Sequence, residues 1–275
     1  MSPPAARPSF LYGTAWKEDE TRRLVLLALA AGFRGIDTAN QRKHYHEAAV
    51  GQALAEAYRQ QGIAREELFL QTKFTFLDGQ DHRLPYDPKA DVATQVQQSF
   101  ASSLEHLGTD FLDSYLLHGP SRRTGLGPAD WEAWGAMEAL AADGRARALG
   151  VSNVTLAQLE ALAGKAKIPP AWVQNRCYAS RGWDAEVRAF CARHRIVYQG
   201  FSLLTANPEV LRSAKVRQLA QAHGRTAAQV VFRFALQAGM LPLTGTTDPA
   251  HMREDLDVLG FTLDEAEVRA IETRD

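Results

Sequence analysis

Strand-like and helix-like segments alternate along almost the whole of this 275-residue chain. Short apolar runs are each followed by a segment whose apolar side chains recur every three to four residues, the spacing of an amphipathic helix. Such alternation predicts parallel strands joined by helices. The predicted strands cover residues 10–14, 33–37, 68–73, 111–117, 146–151, 171–175, 196–201 and 240–244.

The number of strand–helix units predicts the fold class, a (β/α)8 TIM barrel, which typically needs about 250 residues. A doubly wound Rossmann sheet would carry a Gly-x-Gly-x-x-Gly turn after its first strand, but residues 12–16 read Tyr-Gly-Thr-Ala-Trp. No linker or low-complexity segment interrupts the chain, so we predict one barrel domain over residues 1–275, with residues 1–8 as a flexible arm. The predicted helices cover residues 18–31, 46–60, 90–107, 129–143, 155–164, 184–194, 209–223, 226–238, 249–258 and 263–273.

The composition argues against several classes of function. A formal net charge of −1 offers no basic surface for nucleic acid or an anionic membrane. No apolar run approaches the ~20 residues of a membrane helix, and the N-terminus lacks the apolar core of a signal peptide. Cys177 and Cys191 cannot form a disulfide framework, so we expect reduced thiols in a cytoplasmic protein.

Chemically useful side chains occur at the ends of neighbouring predicted strands. Asp37 ends the second strand, Lys73 ends the third and His118 follows the fourth, while Tyr45 lies in the loop after Asp37. An α/β barrel carries its catalytic groups at this C-terminal edge, so the four side chains are expected to meet. Each also has a purely structural interpretation: a turn carboxylate, a lysine reaching water, a histidine that holds a loop and an exposed loop tyrosine.

Several short motifs, taken in order along the chain, resemble those of the aldo-keto reductases. They lie at residues 12–17, 36–39, 50–51, 65–73, 112–118, 149–153 and 174–175. The resemblance implies a reductase of aldehydes and ketones that takes hydride from a nicotinamide cofactor and can also oxidise alcohols in the reverse direction. It further implies a small-molecule carbonyl substrate and a monomeric protein.

By this resemblance Tyr45 is the general acid, Lys73 and Asp37 tune its pKa, and His118 holds the carbonyl oxygen. A tyrosine with a pKa of about 10 donates a proton reluctantly at neutral pH. A nearby ammonium group stabilises the phenolate, so Lys73 is expected to lower the pKa of Tyr45. A buried lysine needs a counter-charge, which Asp37 can provide.

The position of the tyrosine departs from the family pattern. The family usually places it five residues after the aspartate, where this chain has Arg42, whereas Tyr45 lies eight residues after Asp37. Residues 40–44 therefore look like an insertion of three, and the downstream Glu47 supports Tyr45 as the acid. Tyr12 is the remaining candidate, but it lies inside the first predicted strand.

The resemblance also implies the cofactor contacts. Ser152, Asn153 and Gln174 match residues that hold the nicotinamide carboxamide, and Phe201 stands where the family stacks a tyrosine. The resemblance implies NADPH/NADP+ as the cofactor. Leu243 replaces the family's lysine for the 2′-phosphate, so NADH is possible as well. The residues matched to the pyrophosphate and adenosine ends are Ser202, Leu204, Thr244, Gly245, Thr246, Arg253, Glu254 and Asp255, with His251 as a further candidate cation.

The substrate pocket is expected beside the same edge, lined by Trp16, Phe74 and the irregular loop 75–89. Gly119 stands where the family often has a tryptophan after its histidine. The chain also ends soon after its last predicted helix, without the long C-terminal loop of many relatives. We therefore expect an open pocket and a broad range of carbonyl substrates.

Two other functions remain open from the sequence. Lys73 could form a Schiff base, as in an aldolase. The chain could instead be a non-catalytic, NADPH-sensing regulatory subunit, as some barrels that resemble this family are. A zinc site at His44, His46 and His118 is disfavoured because no cysteine or carboxylate is placed to complete it.

Overall fold

Eight parallel strands close into a barrel in sequence order in the computed structural model, which describes residues 7–273. Each strand pairs with its sequence neighbours, and β1 closes the barrel against β8. The predicted (β/α)8 TIM barrel is confirmed, and the Rossmann alternative is excluded. The strands are β1 (Leu11–Gly13), β2 (Gly35–Asp37), β3 (Phe69–Phe74), β4 (Ser114–Leu117), β5 (Leu149–Ser152), β6 (Trp172–Arg176), β7 (Val197–Phe201) and β8 (Met240–Thr244).

Helices connect successive strands and cover the outside of the barrel. They are α1 (Thr21–Ala31), α2 (Glu47–Gln60), α3 (Val92–Leu107), α4 (Pro128–Ala142), α5 (Leu156–Lys165), α6 (Ala185–Arg193), α7 (Pro208–Leu211), α8 (Ala214–His223), α9 (Ala227–Gln237), α10 (Pro249–Asp257) and α11 (Glu265–Thr273). The single helix predicted over residues 209–223 was wrong, because α7 and α8 are separate. The Ser213 hydroxyl accepts the Val216 N–H at 3.2 Å and starts a new helix.

Two layers of side chains fill the barrel interior. The lower layer, near the N-terminal ends of the strands, is apolar. The layer above it is polar. Residues two positions apart along a strand point to the same face, so Gln71 points inward like Phe69, and Gln174 like Trp172. This polar layer lies toward the end of the barrel where Asp37 ends its strand. The apolar layer consists of Leu11, Phe69, Leu116, Trp172 and Leu241.

Two glycines are required by close approach of the backbone. A Cβ at Gly51 in α2 would lie 1.8 Å from the His106 carbonyl oxygen in α3. A Cβ at Gly150 in β5 would lie 2.6 Å from the Trp172 carbonyl oxygen in the next strand. Both glycines belong to motifs that carry the family resemblance, and packing accounts for them without a catalytic role.

The predicted N-terminal arm is described only in part. Residues 1–6 lie outside the described residues, while Pro8 is buried and lies beside Gly35 at the start of β2. Pro8 is therefore already packed into the fold, before the predicted end of the arm.

Two further features of residues 7–273 concern the cysteines and the lengths of the helices. Cys177 and Cys191 are both free and buried, and burial raises the pKa of each thiol to about 12. Within residues 7–273, no helix has the length and apolar character needed to cross a membrane.

Candidate active site

The four predicted catalytic side chains lie together at the C-terminal end of the barrel. Asp37 is the last residue of β2, Lys73 lies near the end of β3, and His118 directly follows β4. The Tyr45 ring centroid is 6.0 Å from the His118 ring centroid and 5.4 Å from the Lys73 Nζ. Strands that pair in the order β2, β3, β4 therefore bring the predicted residues to one place.

Asp37 and Lys73 form a buried ion pair. The Lys73 Nζ lies 2.7 Å and 2.8 Å from the two Asp37 carboxylate oxygens and 2.8 Å from the Thr38 carbonyl oxygen. These bonds use all three N–H donors of the ammonium group. Burial lowers the pKa of Lys73, and the Asp37 carboxylate opposes that shift.

Tyr45 is half-buried and lines the cleft at the barrel mouth. Its hydroxyl makes no hydrogen bond to any other residue between 7 and 273, so it is available to a ligand. Burial raises the pKa of Tyr45, and the Asp37 carboxylate raises it further. The net direction is opposite to the lowering expected from Lys73, because burial and the Asp37 carboxylate both act to raise this pKa.

His118 carries a neutral ring in this environment. Burial lowers the pKa of His118 to about 3, and the Lys73 and His44 charges act in the same direction. Its Nδ1 lies 2.7 Å from the Thr75 hydroxyl. If the Thr75 hydroxyl donates to Nδ1, the ring proton lies on Nε2, and the histidine can donate a hydrogen bond without being charged.

A turn built by Gln41 places the shifted tyrosine. The Gln41 carbonyl oxygen accepts the N–H groups of His44 and Tyr45, both at 3.0 Å, and its side chain bonds the Gly79 carbonyl and the His44 ring. Trp16 packs on this turn, with its ring centroid 3.8 Å from that of His44. The extra residues thus form a compact turn that directs Tyr45, rather than Arg42, to the cleft lining.

A cleft of about 680 Å³ extends from Tyr45 and His118 to the end of β8. This volume lies within the ~300–1,000 Å³ range of ordinary cofactor and ligand sites. The predicted residues that line it are Trp16, Ser152, Asn153, Gln174, Phe201, Ser202, Leu204, Thr244, Gly245 and Thr246. Trp16, Asn153 and Ser202 adopt left-handed φ angles of 60°, 54° and 56°, and such strain concentrates at ligand sites.

The predicted contacts on α10 do not line this cleft. Arg253 is exposed, Glu254 is half-buried, and Asp255 is buried in the packing of the helix. Burial raises the pKa of Asp255 to about 6, although the Thr244 hydroxyl favours its charged form. These residues therefore lie near the adenosine end of a cofactor only by resemblance to the family.

Polar groups near His118 suit the carboxamide of a nicotinamide ring. The Ser152 hydroxyl donates to the Gln174 carbonyl at 2.7 Å, and the Asn153 Nδ2 donates to the His118 carbonyl at 2.8 Å. Within the described part of the chain, the Gln174 Oε1 and the Asn153 Oδ1 accept no hydrogen bond. A carboxamide has N–H donors for such free acceptors, so these residues fit a nicotinamide cofactor.

Lys17 supplies a cation that the sequence analysis did not assign. Leu243, which stands in place of the family's lysine, lines the cleft as an uncharged side chain. The Lys17 ammonium donates to the Gly245 carbonyl on the same wall, and burial lowers the pKa of Lys17. A positive charge therefore lies beside Thr244, Gly245 and Thr246 after all.

A second cavity of about 470 Å³ opens next to His118 and Gly119. A Cβ built at Gly119 would be in ordinary van der Waals contact with the Asn153 Cβ at 3.6 Å, so a small side chain could be accommodated there. Phe74 does not line the cavity: it is fully buried and packs against Phe76 and Tyr86. The prediction of Phe74 as a substrate residue was wrong, because residues alternate between strand faces and Phe74 points away from the inward-facing Lys73. Phe76 and Leu77 line the cavity instead.

The structure also bears on the two chemistries other than reduction. Lys73 is fully buried and its three N–H groups are hydrogen-bonded, so it has no free lone pair with which to form a Schiff base. Within residues 7–273, no group of three histidine, cysteine or carboxylate side chains is arranged to bind a metal ion.

Sequence reasoning missed several polar residues of the site: Lys17, Gln41, Gln71, Thr75 and Gln199. A signal existed for two of them, since Gln71 precedes Lys73 by two residues and Gln199 precedes Phe201 by two. Polar side chains on the inward face of a buried strand require a hydrogen-bond partner inside the barrel.

Known proteins resemble this chain over nearly its whole length. The profile described as the Aldo/keto reductase family matches residues 10–275. An aldo-keto reductase of Mycolicibacterium paratuberculosis is 35% identical over 269 residues, which cover 98% of this chain and 86% of that protein. One from Mycolicibacterium smegmatis is 33% identical over 254 residues, covering 92% and 82%. The crystal structure of an aldo/keto reductase from Brucella melitensis superposes with a TM-score of 0.81 at 30% identity, covering 98% of this chain and 95% of that one.

Proposed function

Because this chain belongs to the aldo/keto reductase family, we propose that it reduces aldehydes and ketones with NADPH, using Tyr45 as the proton donor. Family membership supports carbonyl reduction in general. The observation that carries the finer proposal is Tyr45, whose hydroxyl bonds no described protein group and whose ring centroid lies 5.4 Å from the Lys73 Nζ and 6.0 Å from the His118 ring centroid. No other described tyrosine combines these neighbours.

The protein's part in the reaction is to hold the carbonyl group and to deliver a proton. A neutral His118 with its proton on Nε2 donates a hydrogen bond to the carbonyl oxygen and holds it near Tyr45. As negative charge develops on that oxygen, the Tyr45 O–H bond breaks and its proton forms the new hydroxyl group. The bound nicotinamide supplies the hydride to the carbonyl carbon.

The phenolate left on Tyr45 is stabilised by Lys73, whose ammonium lies 5.4 Å from the ring centroid. Asp37 keeps this ammonium charged and in place, because burial alone would favour the neutral amine. The phenolate then recovers a proton from solvent, and the cycle can repeat. Lys73 therefore offsets part of the rise in the Tyr45 pKa, and the resting phenol remains protonated at neutral pH.

The substrate range follows from the cavity beside Gly119. The cavity is lined by the apolar side chains of Phe76, Leu77 and Val92 and by a few polar groups. Apolar walls bind aromatic and branched aliphatic groups with a free energy that depends mainly on the apolar surface area buried and only weakly on the shape of the group. We propose broad use of aldehydes and ketones whose apolar part enters this cavity.

The pH dependence of reduction is expected to be nearly flat. A general acid works only while protonated, so activity is present below its pKa and is lost as the pH rises through it. Burial and Asp37 raise the pKa of Tyr45, and the His118 pKa of about 3 leaves that ring neutral. We expect kcat/KM for an aldehyde to stay level from about pH 5 to about pH 9. A fall centred near neutral pH, with the protein still folded, would contradict these assignments.

Lys17→Met tests the source of the cationic charge in the cofactor cleft. Loss of a charge-assisted hydrogen bond is expected to weaken NADPH binding about ten-fold or more. The affinity for NADH should fall less, because NADH has no 2′-phosphate and Lys17 lies at the wall matched to that group. Dissociation constants for both nucleotides are measured by tryptophan fluorescence, with the exposed Lys215→Met as the matched control. Unchanged NADPH affinity would mean that the 2′-phosphate lies elsewhere.

The proposed function is tested by following NADPH absorbance in the presence of aromatic and aliphatic aldehydes. Turnover with several of them supports a broad reductase. NADPH binding without turnover would instead support the cofactor-sensing subunit. Substrate trapped on Lys73 by borohydride, without any need for NADPH, would support the aldolase.

A further inference from the structure

Three glutamines from separate strands surround Asp37 beneath the cleft. Gln71 lies in β3, Gln174 in β6 and Gln199 in β7, with exposures of 0%, 4% and 0%. A buried amide without partners costs several kcal/mol, so such a cluster persists only if its groups are paired. Only Gln174 of the three lines the cleft.

The amides form a closed set of hydrogen bonds with the carboxylate. The Gln71 Nε2 donates to the Asp37 Oδ1 at 2.7 Å and to the Gln199 Oε1 at 2.8 Å. The Gln174 Nε2 donates to the same two oxygens, at 3.0 Å and 2.8 Å. The Gln199 Nε2 donates in turn to the Gln71 Oε1 at 2.8 Å.

This pattern determines which way each amide points. An ionised carboxylate can only accept, so Gln71 and Gln174 must present their NH2 groups to Asp37. Two NH2 groups then face Gln199, which must present its oxygen to both. Reversing the Gln174 amide would place its oxygen against the Asp37 and Gln199 oxygens and leave both NH2 donors unpaired.

We propose that Gln199 is a positioning residue that, together with Asp37, holds the Gln174 amide with its oxygen toward the cofactor. The free Gln174 Oε1 then accepts an N–H of the nicotinamide carboxamide. The inference rests on the proposed function. The Lys73 Nζ and the Gln174 Nε2 both donate to the Asp37 Oδ1. The inference therefore links the orientation of the nicotinamide to the same carboxylate that holds Lys73.

A cofactor analogue separates this role from general support of the fold. The 3-acetylpyridine analogue of NADP+ carries a methyl ketone in place of the carboxamide and has no N–H for Gln174. Gln199→Met keeps the side-chain length but removes the acceptor that orients Gln174. We expect the variant to weaken NADP+ binding about five-fold and to change the binding of the analogue by less than about two-fold.

Gln158→Met is the matched control for this experiment. Gln158 is also buried, at 1% exposure, but it caps the start of α5 and bonds the Arg122 and Gly125 carbonyls. The control removes a buried amide of the same kind, so it should lower the melting temperature without changing either dissociation constant. If Gln199→Met does not fold, Gln71→Met removes both bonds between Gln71 and Gln199 and should give the same selective loss.

Binding is measured by fluorescence titration and calorimetry on the folded variants. A selective loss of NADP+ affinity supports the positioning role. An equal loss of affinity for NADP+ and for the analogue, or no loss of affinity for either, would overturn the positioning role while leaving the proposed reductase function intact. Failure of the wild-type protein to bind NADP+ would overturn the proposed function and this inference together.

Discussion

Tyr45→Phe is expected to lower kcat/KM for aldehyde reduction by about 100- to 10,000-fold, the usual contribution of a positioned general acid. The change removes one hydroxyl that bonds no described protein group, so the barrel should fold normally. The affinity for NADPH should be unchanged, because the ring that lines the cleft remains. Steady-state kinetics and a fluorescence titration of NADPH measure the two quantities.

Tyr58→Phe is the matched control for that variant. Tyr58 lies in α2, where its hydroxyl has no hydrogen-bond partner within residues 7–273 and does not line the cleft. Its loss should leave kcat/KM unchanged. Tyr45→Phe with wild-type turnover would mean that another group is the acid. Tyr12 is an unsuitable replacement, because its hydroxyl donates to the Thr246 carbonyl at 3.0 Å.

Lys73→Met is expected to lower both activity and stability. It leaves the Asp37 carboxylate buried with no opposite charge, and breaking one side of a buried pair typically costs about 3–5 kcal/mol. The Gln71 and Gln174 amides still bond Asp37, so we expect the free energy of unfolding to fall by about 3 kcal/mol, the lower end of this range. Urea unfolding measures the change, and kcat/KM should fall by at least about 100-fold.

The double variant Asp37→Asn/Lys73→Met separates these two effects. It removes both charges together, and neutral replacement of a buried ion pair is often nearly neutral for stability. We therefore expect the free energy of unfolding to recover while activity stays low. Activity in the double variant close to that of the wild type would show that neither charge assists Tyr45.

Much of the site could be predicted because barrel geometry is repetitive. Strand ends at Asp37, Lys73 and His118 share one edge once the strands are known to be parallel and sequential. The insertion before Tyr45 was visible in the spacing, and the structure places Tyr45 in the cleft lining. Phe74 failed as a prediction because the end of β3 was placed one residue too early and the alternation of its faces was not applied.

The direction of the Tyr45 pKa could not be predicted from the sequence, because it depends on the burial of the ring and on the nearby Asp37 carboxylate in the folded chain. The shared edge of the barrel and the family resemblance suggested a lysine acting on a tyrosine. In the fold, Asp37 and Thr38 accept all three N–H bonds, so burial and the carboxylate control the phenol. The arrangement of donors is a property of the packed interior.

The order of strands and helices, the inward positions along each strand and the edge that carries the chemistry are all encoded locally, in side-chain spacing and type. The amide network is not, because Asp37 and Gln174 are 137 residues apart and meet only when the barrel closes. Closure brings polar groups from distant strands into a buried interior. There they must satisfy one another, and that requirement sets the orientation of Gln174 and the pairing of Lys73, while burial and the Asp37 charge keep Tyr45 protonated.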